Sequence, residues 1–177
     1  RVRFAGAAPP RNERYWRGPV LHDFDGSAWR ARAGLYVPRA ALNYAGPRYT
    51  YTVELEPGAL PLLPALELPE GPLPPDAVLT SDYQLALPRP PRQALHYTLS
   101  SRTQYRSVQP LSLAQRRIDL ALPQGRNPRT LALARQLRAA ASDERGFIEA
   151  VLARFRDAGF AYTLTPQRLG AQPVDEF

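Results

Sequence analysis

The hydrophobic pattern of this chain changes its period once, near residue 110, and that change restricts the fold more than any other feature. Before it, apolar and polar residues alternate, as in Tyr49, Tyr51, Val53 and Leu55 with threonines and glutamate between them. After it, apolar residues recur every three or four positions. Alternation places one face of a β-strand against a core, whereas the longer spacing does so for a helix. The sequence therefore predicts an α+β fold in which strands precede helices.

The first part of the chain predicts short antiparallel strands. Further candidates with alternating character lie at residues 2–4, 29–37, 83–87 and 95–99. Proline-rich turns at 71–76 and 88–91 separate the strands, because proline lacks the backbone donor that a ladder needs. No helical pattern intervenes, which favours a sandwich of two antiparallel sheets. We therefore predict an immunoglobulin-like β-sandwich domain over residues 1–108.

The second part, residues 109–177, predicts two main helices at about 127–141 and 143–158. Asn127 is expected to be the N-cap of the first, with Pro128 in its first position. The second carries an apolar stripe, made of Phe147, Ile148, Val151, Leu152 and Phe155. A shorter helix is expected within 111–120. After the stop signal at Gly159, alternation predicts a strand at 160–164.

The stretch HDFDGS at 22–27 looks at first like the nucleophile motif of haloacid-dehalogenase-type phosphatases. That chemistry needs an aspartate at the end of a parallel strand, further acids for Mg²⁺ and a cation for the phosphate. The residues that follow predict strand and turn, and the chain has no lysine. Asp25 and Gly26 are turn formers, so we interpret the stretch as a tight turn, flanked by Trp16 and Trp29 as core anchors.

No catalytic residue, cofactor or metal ligand is predicted within these residues. The absence of cysteine excludes a thiolate nucleophile and cysteine-ligated zinc or iron–sulfur clusters. His22 and His96 are the only imidazoles, and no Gly-x-Ser-x-Gly elbow accompanies them. A calcium loop built on Asp23 and Asp25 would place Arg32 where a carboxylate is required.

Charge and hydropathy restrict the partners. The formal charge of +7 comes entirely from arginine spread along the chain, without a basic block or an aromatic stacking platform, so no nucleic-acid partner is predicted. Prolines interrupt the most apolar region, between 61 and 75, well short of the ~20 apolar residues of a membrane helix. Because the chain starts at Arg1 within a predicted strand and lacks methionine, we expect it to be a segment of a longer polypeptide.

Several motifs occur in the order in which one bacterial family has them. They are Tyr15-Trp16-Arg17-Gly18-Pro19-Val20-Leu21, Phe24-Asp25-Gly26 with Trp29, YTVELEP at 51–57, LTSDYQL at 79–85, GRNPRTLALARQLR at 125–138 and the segment 160–177 ending in VDEF. Over almost its whole length the chain thus resembles the extracytoplasmic region of bacterial membrane-anchored transglutaminase-like proteins of the TgpA type. The residues assigned to the structural motif of this family are Trp16, Arg17, Gly18, Asp25, Gly26 and Trp29.

The resemblance implies a parent protein with N-terminal membrane helices, a periplasmic soluble region and a transglutaminase-like core with a Cys-His-Asp triad. Residues 1–108 would be its accessory domain, and residues 109–177 the truncated N-terminal part of its core. The nucleophile would follow VDEF, in a Gly-x-Cys motif beyond Phe177. No triad residue is therefore assigned here, and this chain alone is expected to be inactive.

Two functions remain open at this point. The chain is either a noncatalytic fragment of a thiol enzyme acting on amide bonds, which positions the core or binds substrate, or an interaction module of a catalytically inactive parent. The expected partners are the rest of its own polypeptide, including the catalytic core and the membrane helices, and a cell-envelope protein or peptide substrate. Because the stripe on the second helix would pack against a sheet encoded later, we also expect either self-association of this chain or a rearrangement of this helix onto the sandwich.

Overall fold

A computed structural model describes residues 1–31, 41–108 and 110–177. Within these residues the predicted α+β class is confirmed, since small antiparallel sheets come first and helices follow. The strands are β1 (Val2–Phe4), β2 (Asp23–Phe24), β3 (Trp29–Arg30), β4 (Leu42–Ala45), β5 (Tyr49–Leu55), β6 (Leu62–Leu63), β7 (Val78–Leu79), β8 (Leu85–Ala86), β9 (Leu95–Ser101) and β10 (Gln104–Ser107). The helices are α1 (Leu113–Asp119), α2 (Pro128–Ala140), α3 (Glu144–Asp157) and α4 (Pro173–Glu176), with a 3₁₀ turn at Arg11–Glu13.

The chain divides into two compact units. The first contains Arg1–His22 and Ala31–Asp119, and the second contains Asp23–Arg30 and Leu120–Phe177. The hairpin formed by β2 and β3 therefore belongs to the unit that contains α2, α3 and α4, although it lies early in the sequence.

The largest sheet of the first unit has the strand order β1-β5-β9. β5 pairs antiparallel with β9 along its full length and with β1 on its other edge. The alternation predicted for both long strands is confirmed, since the buried positions are Tyr51, Val53, Tyr97 and Leu99 and the threonines between them are exposed. One face of this sheet thus supplies the core of the unit.

A second three-stranded sheet has the strand order β6-β8-β7. Leu63 on β6 and Leu85 on β8 belong to the same buried cluster as the side chains of the first sheet. Both sheets therefore contribute side chains to one buried cluster. The strand predicted at 83–87 is shorter than expected and covers only β8.

Tyr51 lies at the centre of this core with no solvent exposure. Its hydroxyl oxygen accepts a hydrogen bond from the Leu66 amide at 2.8 Å and is 2.9 Å from the Ser101 hydroxyl, which donates to the Leu66 carbonyl at 2.7 Å. Trp16 packs edge-on against the Tyr51 ring at a centroid distance of 5.5 Å. A buried polar network thus connects the backbone of Leu66 to β5 and β9.

Both main helices occur where their sequence patterns predict them, and α1 confirms the shorter helix within 111–120. The stripe on α3 is largely uncovered, since Ile148, Leu152 and Phe155 are each about half exposed. No helix of the described residues is both long and apolar enough to cross a bilayer.

Two predicted strands differ from the structure. Residues 160–164 form no strand, and Tyr162 and Leu164 are 92% and 84% exposed, because no neighbouring strand among the described residues pairs with them. The candidate at 29–37 is confirmed only for β3, and residues 32–37 lie outside the described residues.

Candidate functional site

Asn127 connects three distant segments of the second unit. It is 5% exposed and adopts a left-handed conformation, with φ of 49°. Its side-chain amide donates to the Gly26 carbonyl at 3.1 Å, and its side-chain oxygen accepts from the Val174 amide at 3.1 Å. Its backbone amide donates to the side chain of Gln172 at 2.5 Å. The hairpin, the start of α2 and the C-terminal segment thus meet at one buried side chain.

The prediction that Asn127 caps α2 is correct in position but wrong in mechanism. Its side chain makes no capping hydrogen bond. The carboxylate of Asp175 takes that role, accepting from the Arg129 amide at 2.9 Å and from the Thr130 amide and hydroxyl at 2.7 Å each. A helix N-terminus favours an anion, because its first amides lack partners within the helix. We call the cluster formed by Gly26, Asn127, Thr130, Gln172, Val174 and Asp175 the Asn127 junction.

Asp175 is charged at this position. Only 4% of its side chain is exposed. Burial opposes ionisation, but the hydrogen bonds from the Thr130 hydroxyl and the Thr130 and Arg129 amides outweigh it and hold the pKa of Asp175 below its usual value. The Asn127 junction therefore contains a carboxylate that accepts hydrogen bonds from the first residues of α2.

The hairpin tip confirms the turn predicted for residues 22–27. Asp25 accepts from the Ser27 amide at 2.9 Å and the Ala28 amide at 2.8 Å, and it is paired with Arg30. The amide hydrogen bonds, aided by Arg30, hold the pKa of Asp25 well below its usual value. β2 is a two-residue strand in an antiparallel pair, which is not the parallel-strand end that a phosphatase nucleophile requires. The carboxylate of Asp25 thus stabilises its own turn through these hydrogen bonds.

Gly26 is required at the tip for two reasons. Its φ of +100° is rarely adopted by residues with a side chain, and a Cβ atom built on it would lie 2.5 Å from Nε of Arg126. At Gly26 the backbone of the hairpin therefore lies against the Arg126 side chain, in the loop before α2.

We expect Gly26→Ala to lower the free energy of unfolding of the second unit by about 1–2 kcal/mol, because it adds backbone strain and displaces Arg126. Urea titration with hydrogen exchange of the α2 amides measures this. Gly18→Ala is the matched control, since a Cβ atom added to Gly18 would meet no neighbour within 4 Å and its φ is not positive. Equal stability of the two variants would contradict the predicted packing of the tip.

The six motif residues are divided between the two units. Trp16, Arg17 and Gly18 lie in the first, where Arg17 forms an ion pair with Glu67 at 2.5 Å. Gly18 accepts through its carbonyl from Gln84 at 3.2 Å.

Asp25, Gly26 and Trp29, the other motif residues, lie in the second unit. The interpretation of Trp29 as a core anchor is wrong, since it is 56% exposed and stacks on Phe24 with 4.8 Å between ring centroids. A two-residue strand at the surface buries only one face of so large a ring. Trp16, by contrast, is half-buried and packs against the core.

The two histidines occupy different settings. His22 lies between two carboxylates, with Nε2 3.1 Å from Asp82 and Nδ1 3.5 Å from Asp119. His96 is exposed on β9, on the polar face predicted for it. Among the residues that the structure describes, no three histidine, aspartate or glutamate side chains form a group that could hold a metal ion.

An apolar cleft of about 510 Å³ is lined by residues of α2, α3 and the C-terminal segment in the second unit. Its walls include Leu133, Leu137, Val151, Phe155, Phe160 and Phe177. Phe160 stacks on Phe177 at 5.0 Å and meets Phe155 edge-on at 5.2 Å. Arg129, Arg154 and Asp175 are the charged residues that line the same cleft.

Sequence reasoning did not identify the Asn127 junction. The sequence patterns assign a capping role to Asn127 and no role to Gln172 or Asp175. The available signal was that GRNP at 125–128 and QPVDEF at 172–177 are both segments in which the chain resembles one family. Neither segment predicts by itself that they contact each other.

Comparisons with known proteins show which family and fold this chain shares. A family model described as the TgpA N-terminal domain matches residues 1–108. A curated protein-glutamine gamma-glutamyltransferase of Pseudomonas aeruginosa is 38% identical over 179 residues, a match that covers 100% of this chain and 26% of the relative. The chain thus spans about a quarter of that relative.

Two solved structures are also similar to this chain. The crystal structure of the periplasmic domain of TgpA from Pseudomonas aeruginosa matches with 37% identity and a TM-score of 0.89, over 99% of this chain and 61% of that one. Its ethylmercury-bound form matches with 36% identity and a TM-score of 0.88, over 99% and 62%. The chain is therefore homologous to a transglutaminase-like periplasmic domain and spans about three fifths of it.

Proposed function

The chain belongs to the TgpA N-terminal domain family, and from that premise we propose that it is a noncatalytic part of a membrane-anchored periplasmic transglutaminase-like enzyme. In this proposal residues 1–108 are an immunoglobulin-like accessory sandwich, and residues 109–177 begin the cysteine-protease-like core. The accessory part serves to position that core. The observation that supports this is the hairpin at 23–30, which comes from the accessory part of the sequence and hydrogen-bonds to Asn127 within the helical unit.

The reaction proposed for the complete enzyme follows the name of the curated relative. A cysteine thiolate attacks the γ-carbonyl carbon of a protein glutamine, and histidine protonates the departing ammonia. An amine then attacks the thioester, its proton passes to histidine, and the thiolate is released. Water in place of the amine gives hydrolysis. This chain contains no cysteine, so its own contribution is to orient the core.

The first partner proposed is the rest of the same polypeptide. The solved periplasmic domain extends well beyond the part that this chain matches, and Phe177 forms a wall of the apolar cleft. We expect the following polypeptide to cover the cleft and the exposed stripe of α3. A cell-envelope protein or peptide substrate would then bind to the completed enzyme, and no nucleic-acid partner is proposed.

The six motif residues are proposed to form the structural motif of the family. Asp25 and Gly26 build the hairpin tip that packs before α2. In the first unit, Trp16 packs against the core and Arg17 pairs with Glu67. The motif thus contributes structural contacts within each unit.

The test is amine incorporation by the periplasmic region of the full-length parent. Its gene is first sequenced beyond the Phe177 codon, and the purified region is incubated with a fluorescent primary amine and a glutamine-containing protein. We expect incorporation that is lost when the first cysteine after Phe177 is replaced by alanine. We also expect this chain alone to be inactive and to self-associate, whereas the longer protein is monomeric on size exclusion. A parent that neither incorporates amine nor releases ammonia would support the interaction module instead.

A further inference from the structure

The C-terminal segment 170–177 is bound to the start of α2 through both its side chains and its backbone. Asp175 directs both carboxylate oxygens at the first turn of α2. Val174 donates to Asn127, and Gln172 accepts from it. The Arg129 guanidinium also donates to the backbone carbonyl of Asp175. The segment is thus fixed in both position and direction just before Phe177.

The two neighbouring acids of this segment have different tasks. Glu176 accepts from the Gly170 amide at 2.5 Å and from the Gln172 amide at 3.1 Å, so it closes a turn within its own segment. Asp175 instead links the segment to α2 through its side chain. Glu176 is therefore a matched control for Asp175. The two carboxylates are adjacent, but only Asp175 binds the segment to α2.

Resting on the proposed function, we infer that Asp175 and Asn127 are positioning residues for the catalytic nucleophile. They fix the path along which the polypeptide beyond Phe177 enters the core. Neither residue would touch the substrate. They act by holding the backbone of the C-terminal segment. Contacts with a helix N-terminus and with the buried Asn127 side chain restrict that backbone better than flexible surface contacts do.

The hairpin formed by β2 and β3 also contacts Asn127. Asn127 donates to Gly26 with one end of its amide and accepts from Val174 with the other. A shift of the hairpin tip therefore changes the same side chain that holds the C-terminal segment. The accessory part of the sequence acts on the position of the nucleophile through Asn127.

The test compares Asp175→Asn with Glu176→Gln in the periplasmic region of the full-length parent, using the amine-incorporation assay. We expect Asp175→Asn to lower kcat about tenfold to a hundredfold with KM for the glutamine substrate within about twofold, because displacing a reacting group by about 1 Å has effects of that size. Glu176→Gln is expected to change kcat less than about threefold, since it leaves the link to α2 intact.

A second pair separates positioning from loss of folding. Thr130→Val removes one donor to Asp175 and is expected to lower kcat less than Asp175→Asn does, while Thr130→Ser keeps the hydroxyl and restores the rate. Amide exchange at Arg129 and Thr130 is expected to accelerate in Asp175→Asn. An unchanged kcat in Asp175→Asn, or equal losses in Asp175→Asn and Glu176→Gln, would overturn the inference while the wild-type rate still supports the proposed function. A wild-type parent without activity would overturn the proposed function itself.

Discussion

Replacing Tyr51 with alanine is expected to lower the free energy of unfolding of the first unit by about 3–5 kcal/mol. The side chain is fully buried between the two three-stranded sheets, in contact with Phe4 and Trp16. Its removal leaves a cavity that rigid neighbouring strands cannot close. It also leaves the buried amide of Leu66 without its acceptor.

Tyr51→Phe isolates the contribution of the hydroxyl and is expected to cost about 1–3 kcal/mol, because a buried donor loses its partner. Burial raises the pKa of Tyr51, so the hydroxyl stays neutral and able both to donate and to accept. Urea unfolding followed by tryptophan fluorescence provides the measurement. Tyr162→Phe is the control, since Tyr162 is 92% exposed. Equal midpoints for the two phenylalanine variants would refute the role assigned to the polar network.

Asn127→Ala is expected to lower the stability of the second unit by about 2–3 kcal/mol. The substitution leaves the Gly26 carbonyl and the Val174 amide without their partner, and each unsatisfied buried group costs about 1–3 kcal/mol. It also places alanine in a left-handed conformation, which is unfavourable for a residue with a Cβ atom. We expect faster amide exchange in the hairpin and in 172–177 at the same time.

Two further substitutions of Asn127 distinguish the loss of hydrogen bonds from the backbone strain. Asn127→Gly removes the side chain but accepts the positive φ, so its cost measures the hydrogen bonds alone. Asn127→Asp keeps an acceptor for Val174 and loses the donor to Gly26. It should therefore release the hairpin and retain the C-terminal segment. Hydrogen exchange resolved by segment is the measurement, and release of both segments by Asn127→Asp would show that they are coupled by another route.

The beginning of α2 shows how far local sequence rules reach. The GRNP sequence predicts where a helix starts, and α2 begins at Pro128 as expected. The same rules assign the cap to Asn127, because asparagine is a preferred capping residue and stands directly before the proline. The structure gives the cap to Asp175, whose position beside the helix results from the folding of the intervening chain. A local rule cannot identify a partner that is distant in sequence.

Trp29 and the segment 160–164 show a similar limit. Their aromatic and alternating residues indicate burial, yet Trp29, Tyr162 and Leu164 are exposed. Periodicity reports which face of a strand could be buried but not whether another element covers it. The sequence correctly predicts a turn between strands within 23–30, but the membership of this hairpin in the helical unit has no signature in its own residues.

Hydrophobic spacing correctly predicts that strands precede helices, and it predicts the two long strands. Local sequence rules also predict the positions of both main helices and the turn at Asp25 and Gly26, and the composition shows that these residues contain no thiol nucleophile. These features depend on backbone preferences and on spacing between residues that are close in sequence. By contrast, the buried network of Tyr51, Leu66 and Ser101 and the meeting of the hairpin with the C-terminal segment at Asn127 become visible only in the folded chain. Those contacts depend on which polar groups become buried together, and only folding brings such groups within hydrogen-bonding distance.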